Sequence, residues 1–198
     1  MKIGIYGGSF NPPHKMHEKI AKKLIDEKYV DQVIFVPTST EYEYKMNLLQ
    51  NEVRKELLEP IIEKNKRFML STYEFQDRTV HTCETLKHFE NIFPNDEIYF
   101  ICGADNFSYI DKWENGEYIL SHYKIIVISR NTDNLDELLH KYKKYKDNII
   151  VSDIQPFNIS STQIRKLIHD KKYYECKNYL DADVLKIIER KNLYLKGS

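Results

Sequence analysis

The stretch Lys2-Ile3-Gly4-Ile5-Tyr6-Gly7-Gly8-Ser9-Phe10-Asn11-Pro12-Pro13-His14-Lys15-Met16-His17 decides how this chain is organised. Lys2 to Tyr6 reads as a short buried strand. From Met16 onward Ile20, Ala21, Leu24 and Ile25 recur at helical spacing, which predicts a helix to Lys28. The loop between them holds two adjacent glycines and two adjacent prolines. Bare backbone after a strand lets a ligand come close. A helix start offers free N–H groups and the positive end of a dipole, which suits phosphate. His14 and His17 are three residues apart there, so both can face one anion. The alternative is a tight turn with two surface histidines. A metal site lacks a nearby Cys or carboxylate to complete its shell. A dinucleotide-binding turn would need G-x-G-x-x-G and an acid after the second strand, and neither is present.

Outward from this unit, strand and helix alternate. Further strands are predicted over Asp31–Pro37, Arg67–Tyr73, Glu97–Cys102, Tyr123–Ser129 and Asn148–Ser152. Helices are predicted over about Asn47–Lys64 (with a kink or break at Pro60), Thr82–Ile92, Leu135–Tyr145, Ser161–His169 and Ala182–Lys191, with short helices between Asn106 and Ser121. The strands are continuous apolar runs, as expected when both faces of a sheet are covered. This predicts an α/β fold, a doubly wound and mostly parallel sheet. Ligands of such sheets bind beyond the carboxyl ends of the strands. Three polar clusters fall there: Gly7 to His17, Gly103 to Asp105, and Ile159 to Arg165.

The totals narrow the class. The chain has 198 residues, 41 % hydrophobic and 30 % charged, enough for a core and against disorder. With 30 Lys plus Arg against 30 Asp plus Glu, bulk-charge binding to nucleic acid is not expected. The Lys141 to Lys146 stretch reads as a solvated helix face. No apolar run is long enough for a membrane span, and the opening residues do not read as a signal peptide. Cys83, Cys102 and Cys176 have no metal or disulfide spacing, so a cytoplasmic setting is expected, with Cys102 a small core residue.

The loop residues Gly8-Ser9-Phe10-Asn11-Pro12-Pro13-His14 followed by His17 resemble the nucleotidylyltransferase superfamily signature (T/S)-F-(D/N)-P-x-H-x-G-H. Ile159-Ser160-Ser161-Thr162-Gln163-Ile164-Arg165 resembles its second signature, I-S-S-T-x-I-R. Val80-His81-Thr82-Cys83-Glu84-Thr85-Leu86 looks like the S-Y-T-x-D-T-L stretch of nicotinate mononucleotide adenylyltransferases. Cys102-Gly103-Ala104-Asp105 followed by Trp113 looks like their G-x-D stretch with its later tryptophan. The resemblance covers about residues 1 to 190. It implies a Rossmann-like nucleotidylyltransferase fold, one domain over 1–198 with a small helical C-terminal part from about 160 to 195. Where the family has Gly before its second histidine this chain has Met16, which predicts less room for phosphate; the eukaryotic branch of the same enzymes also carries Met there.

The implied reaction transfers the adenylyl group of ATP to nicotinate or nicotinamide mononucleotide and releases pyrophosphate. Both reactants are anions, so the site must neutralise charge and align the attack. The resemblance casts His17, His14 and Arg165 as the catalytic set, with His17 on the α-phosphate and His14 on the outer phosphates. Gly8, Ser9 and Phe10 would offer backbone N–H groups, Ser161 and Thr162 would cap the last motif's helix and donate to phosphate, and Lys45 is the candidate for the family's lysine. For the mononucleotide it implies Gly7, Ser9, Thr82, Thr85, Gly103, Asp105 and Trp113, the tryptophan stacking on the pyridine. For Trp113 the alternative is helix packing, for the threonines helix capping, and for Asp105 an N-cap. Mg²⁺ is expected with ATP, held mainly by phosphates rather than by protein ligands. A homo-oligomer is left open. Two other readings stand beside this one: the same fold acting on another acceptor, such as pantetheine phosphate or a CTP-dependent alcohol phosphate, and a non-catalytic nucleotide sensor.

Overall fold

The computed structural model describes residues 1–41, 47–129, 134–154 and 159–195. Lys45 lies outside the described residues. Six strands, β1 (Lys2–Gly8), β2 (Gln32–Pro37), β3 (Phe68–Leu70), β4 (Glu97–Gly103), β5 (Lys124–Ile128) and β6 (Ile149–Ser152), form one sheet in the order β3-β2-β1-β4-β5-β6. Every pairing is parallel. The helices are α1 (Lys15–Asp26), α2 (Asn51–Ile62), α3 (Thr82–Ile92), α4 (Ala104–Phe107), α5 (Gly116–His122), α6 (Leu135–Lys141), α7 (Ser161–His169), α8 (Tyr173–Cys176) and α9 (Ala182–Arg190). Two short 3-10 helices, Ile110–Lys112 and Lys143–Asn148, complete the connections.

Alternation along the strands feeds two cores. In β2, Val33 and Phe35 face one layer while Ile34 and Val36 face the other. Helices α1, α2, α7 and α9 cover the first face, with Leu24, Leu57, Leu58, Ile164 and Ile188 fully buried. Helices α3 to α5 cover the second, with Leu86, Phe107 and Ile119 buried. Each such side chain contributes about 1.5–3 kcal/mol by leaving water. The strand order reverses between β1 and β4, which opens a crevice at their carboxyl ends.

Several boundaries differ from the sequence reading. β3 keeps only Phe68–Leu70 of the expected Arg67–Tyr73, because it is an edge strand with one neighbour. Helix α2 starts at Asn51 rather than Asn47, since Asn47 adopts a left-handed φ of 60°. It passes through Pro60 without a break and ends at Ile62. The expected Leu135–Tyr145 helix splits into α6 and a 3-10 segment. Helix α8 was not anticipated. Among the described residues no helix is long and apolar enough to cross a membrane.

Candidate active site

The loop after β1 is built differently from expectation. Gly7 and Gly8 belong to the strand, paired with Val36 and Pro37, and no described glycine has a positive φ. Their value is space. A side chain at Gly8 would meet the Phe10 ring at 3.2 Å, while Gly7 lies open to the crevice, its nearest neighbour Phe100 at 4.0 Å. The left-handed turn falls on Phe10 instead, with φ 45° and a buried ring. A non-glycine residue there is held by its surroundings. Phe10 packs edge-on against Tyr6 and His17.

The start of α1 also departs from the expected row of free N–H groups. Its N-cap is His14, whose N–H donates to Nδ1 of His17 at 3.1 Å. The Lys15 N–H goes to the Tyr179 carbonyl and the His17 N–H to the His14 carbonyl, both at 2.9 Å. The imidazoles therefore provide the polar surface here. The two rings lie face to face with centroids 3.8 Å apart and planes 30° apart, His14 buried and His17 half-buried. Because Nδ1 of His17 accepts a backbone hydrogen, the neutral ring carries its proton on Nε2. Met16 between them is 3 % exposed and packs in the first core, which removes the expectation that it crowds a phosphate.

The motif at α7 docks onto this loop. Ser161 Oγ donates to the Pro12 carbonyl at 2.9 Å. Arg165 Nη1 donates to the Asn11 carbonyl at 2.8 Å and Nη2 to Thr162 Oγ1 at 3.2 Å. The helix cap is neither Ser161 nor Thr162, as expected from sequence, but Ser160. Its hydroxyl accepts from the Gln163 N–H at 3.2 Å, while Gln163 Oε1 accepts from the Ser160 N–H at 2.8 Å, a reciprocal capping box. Ser161 is thereby free to face the loop.

Beside this cluster lies a pocket of about 540 Å³ at the β1–β4 crevice. Gly7, Thr82, Thr85 and Trp113 of the expected mononucleotide group line it, together with Gly8 of the expected ATP group; Ser9 does not. Gly103 and Asp105 do not; Asn106 takes that place. Asp105 is exposed and folds its carboxylate over Gly103, where a side chain would meet Oδ1. The N-cap of α4 is Gly103 rather than Asp105. Trp113 is half-buried and meets Phe100 and Tyr109 at 68° and 69°, so neither ring stacks flat on the indole. Cys102 lies in the floor; burial pushes its thiol far up, so it stays a neutral core group.

Three residues of this region escaped the sequence reading. Glu74 is buried at 7 % exposure and accepts from Thr85 Oγ1 at 2.8 Å, which shows Thr85 tied to the wall rather than capping a helix. His81, the N-cap of α3, lines the pocket and reaches Glu114 at 3.1 Å. Arg54 is fully buried, its guanidinium bonded to the Ser9 carbonyl (3.0 Å), the Leu49 carbonyl (2.9 Å) and Asn51 Oδ1 (2.6 Å). Burial pushes it down to about 10, still charged at neutral pH. The signal for Arg54 was its place on the apolar stripe of the helix, three and four residues before Leu57 and Leu58. Among the described residues no three His, Cys, Asp or Glu side chains form a metal shell.

Comparison with known proteins shows the family and the fold. The cytidylyltransferase-like family model matches residues 5–167. The probable nicotinate-nucleotide adenylyltransferases of Clostridium acetobutylicum and Clostridium tetani are 34 % and 33 % identical; each alignment spans 98 % of this chain, and 99 % and 98 % of those proteins. In fold, the chain is similar to Plasmodium falciparum nicotinic acid mononucleotide adenylyltransferase solved with NaAD, at TM-score 0.84 and 24 % identity over 98 % of this chain and 97 % of that one. A structure of that protein with APC gives a TM-score of 0.82 at 24 % identity, over 98 % and 96 %. Across almost its whole length, then, the chain belongs to the nicotinate-nucleotide adenylyltransferases of the cytidylyltransferase-like family.

Proposed function

We propose that this chain transfers the adenylyl group of ATP to nicotinate mononucleotide, forming deamido-NAD and pyrophosphate. One observation carries the reading. The two motifs meet through Arg165 on the Asn11 carbonyl and Ser161 on the Pro12 carbonyl, beside a pocket that Trp113 helps to line.

In this reading an oxygen of the mononucleotide phosphate attacks the α-phosphorus of ATP. The bond from that phosphorus to the bridging oxygen breaks, and pyrophosphate leaves with the electron pair. No enzyme nucleophile is needed, which agrees with the buried, neutral Cys102. The chain aligns the two phosphates and supplies donors where charge grows. His17 presents its Nε2–H to the α-phosphate, fixed in that tautomer by the His14 N–H. His14 lies against it for the outer phosphates. Arg165 offers the rest of its guanidinium to the triphosphate while anchored on Asn11 and Thr162. Mg²⁺ enters with ATP as part of the substrate.

The mononucleotide occupies the pocket, with its pyridine against Trp113 and its polar substituent near Thr82 and Thr85. The reaction belongs in a reducing, cytoplasmic compartment, in keeping with three free, buried cysteines. Incubation with ATP, Mg²⁺ and nicotinate mononucleotide should release pyrophosphate and yield the dinucleotide by chromatography. Absence of release with both nicotinate and nicotinamide mononucleotides would refute the proposal.

A further inference from the structure

We propose that Tyr194, in the segment after α9, is a positioning residue for the phosphate loop, acting through Asn11; the proposal rests on the adenylyl-transfer reading of that loop. Tyr194 lies outside every motif. It is 9 % exposed, and its hydroxyl donates to Asn11 Oδ1 at 2.9 Å across 183 residues of chain. Burial holds the phenol protonated, so the donor is permanent.

Asn11 is the junction of the loop. It is 3 % exposed, and its side-chain amide and main-chain carbonyl are engaged. Oδ1 accepts from Tyr194, Nδ2 donates to the Asn47 carbonyl at 3.2 Å, and the main-chain carbonyl accepts from Arg165 at 2.8 Å. The bond to Tyr194 fixes the amide plane on one side; the Arg165 guanidinium, assigned to the triphosphate, rests on the other. Immediately before Asn11 stands Phe10 in its left-handed turn, and before that Ser9, held by Arg54 at 3.0 Å. The loop is thus gripped on both sides of the residue with the least favourable backbone.

The two grips share one support. Arg54 sits on α2, and Glu56 one turn-fraction along pairs with Arg190 of α9 at 2.7 Å. Beyond α9 the chain turns at Asn192 (φ 52°) and Tyr194 (φ 62°), where Leu193 and Leu195 pack on the first core. This turn aims the phenol at the loop. Loss of the hydroxyl removes the shortest of the three bonds on the Asn11 amide, leaving those with Asn47 at 3.2 Å and the Leu49 N–H at 3.5 Å, and so loosens the seat of Arg165 while leaving the mononucleotide pocket untouched.

The test compares Tyr194→Phe with Ile188→Val, a packing control buried in α9. Tyr194→Phe is expected to lower kcat about tenfold, equivalent to about 1.4 kcal/mol, with KM for the mononucleotide within about twofold. Amide exchange in residues 8–11 should quicken in that variant. Ile188→Val should lower Tm while leaving kcat and loop exchange at wild-type values. Wild-type kcat in Tyr194→Phe overturns the proposal. If the wild-type chain shows no turnover at all, the adenylyl-transfer reading falls separately. Loop exchange then judges the positioning role, and unchanged exchange in Tyr194→Phe overturns it.

Discussion

The two nitrogens of His17 have different roles in the proposed reaction, and substitution can separate them. Nδ1 accepts the His14 N–H at 3.1 Å and closes the start of α1; Nε2–H is the donor assigned to the α-phosphate. An asparagine carbonyl reaches roughly the position of Nδ1 but offers nothing at Nε2. His17→Asn should therefore keep the cap and lose the donor. Removal of one such preorganised donor costs about 10²–10³ in kcat, about 2.7–4 kcal/mol. His17→Ala loses the cap as well, a further cost of about 1 kcal/mol in stability. For a chain of this size that lowers Tm by about 2–4 °C. His17→Gln, whose amide reaches toward Nε2, should recover part of kcat while melting lower than His17→Asn. The assays are steady-state pyrophosphate release at saturating ATP, Mg²⁺ and mononucleotide, and thermal unfolding of the same preparations. If His17→Asn retains kcat within about threefold of wild type, the donor role is wrong, since about 0.7 kcal/mol is too little for a lost charge-stabilising bond. If His17→Asn melts with His17→Ala, the cap argument is wrong.

Other outcomes follow from the same geometry. Trp113→Ala removes a flat surface worth about 0.5–1.5 kcal/mol, so KM for the mononucleotide should rise about threefold to tenfold while KM for ATP holds. Met16→Gly restores the family residue but empties a core position that is 3 % exposed. Calorimetry should show a loss of about 2–5 kcal/mol with no gain in kcat; a faster, equally stable enzyme would mean that Met16 does crowd the phosphate. The Glu84 carboxyl is held below the usual range by its paired bonds from Arg78, at 2.9 and 2.8 Å, against a smaller opposing effect of burial. Its stabilising contribution is thus complete above the unfolded value of about 4.3 and is lost as pH falls through the lower folded value. The stability gap between wild type and Glu84→Gln should narrow as pH drops from about 5 to about 3, and a gap independent of pH would contradict the pairing.

The layered fold was legible because its cause is local. Runs such as Val33-Ile34-Phe35-Val36 send side chains to both faces, and only a sheet covered on both sides hides them all. Helices α3 and α7 match the sequence reading residue for residue, since each begins where an apolar stripe meets a capping box. That His14 and His17 come together at the start of α1 was legible in the same way, through their spacing, while the resemblance named Arg165, which docks on the same loop. Sequence overestimated the freedom of the glycines and of the helix N-terminus, because it shows neither strand pairing nor which donors are already taken.

Distance along the chain hides the rest. That β1 lies between β2 and β4, and so faces a crevice, follows from the crossover order alone. Glu74 against Thr85, Arg54 beneath Ser9 and Tyr194 against Asn11 are contacts made by packing, with no spacing rule to announce them. A sequence of this kind determines by itself its layered elements and the polar loops at their ends, because those depend on side-chain type and local periodicity. Tertiary structure decides which of their side chains are aimed, anchored and charged, because burial and long-range hydrogen bonds exist only once the two cores have closed.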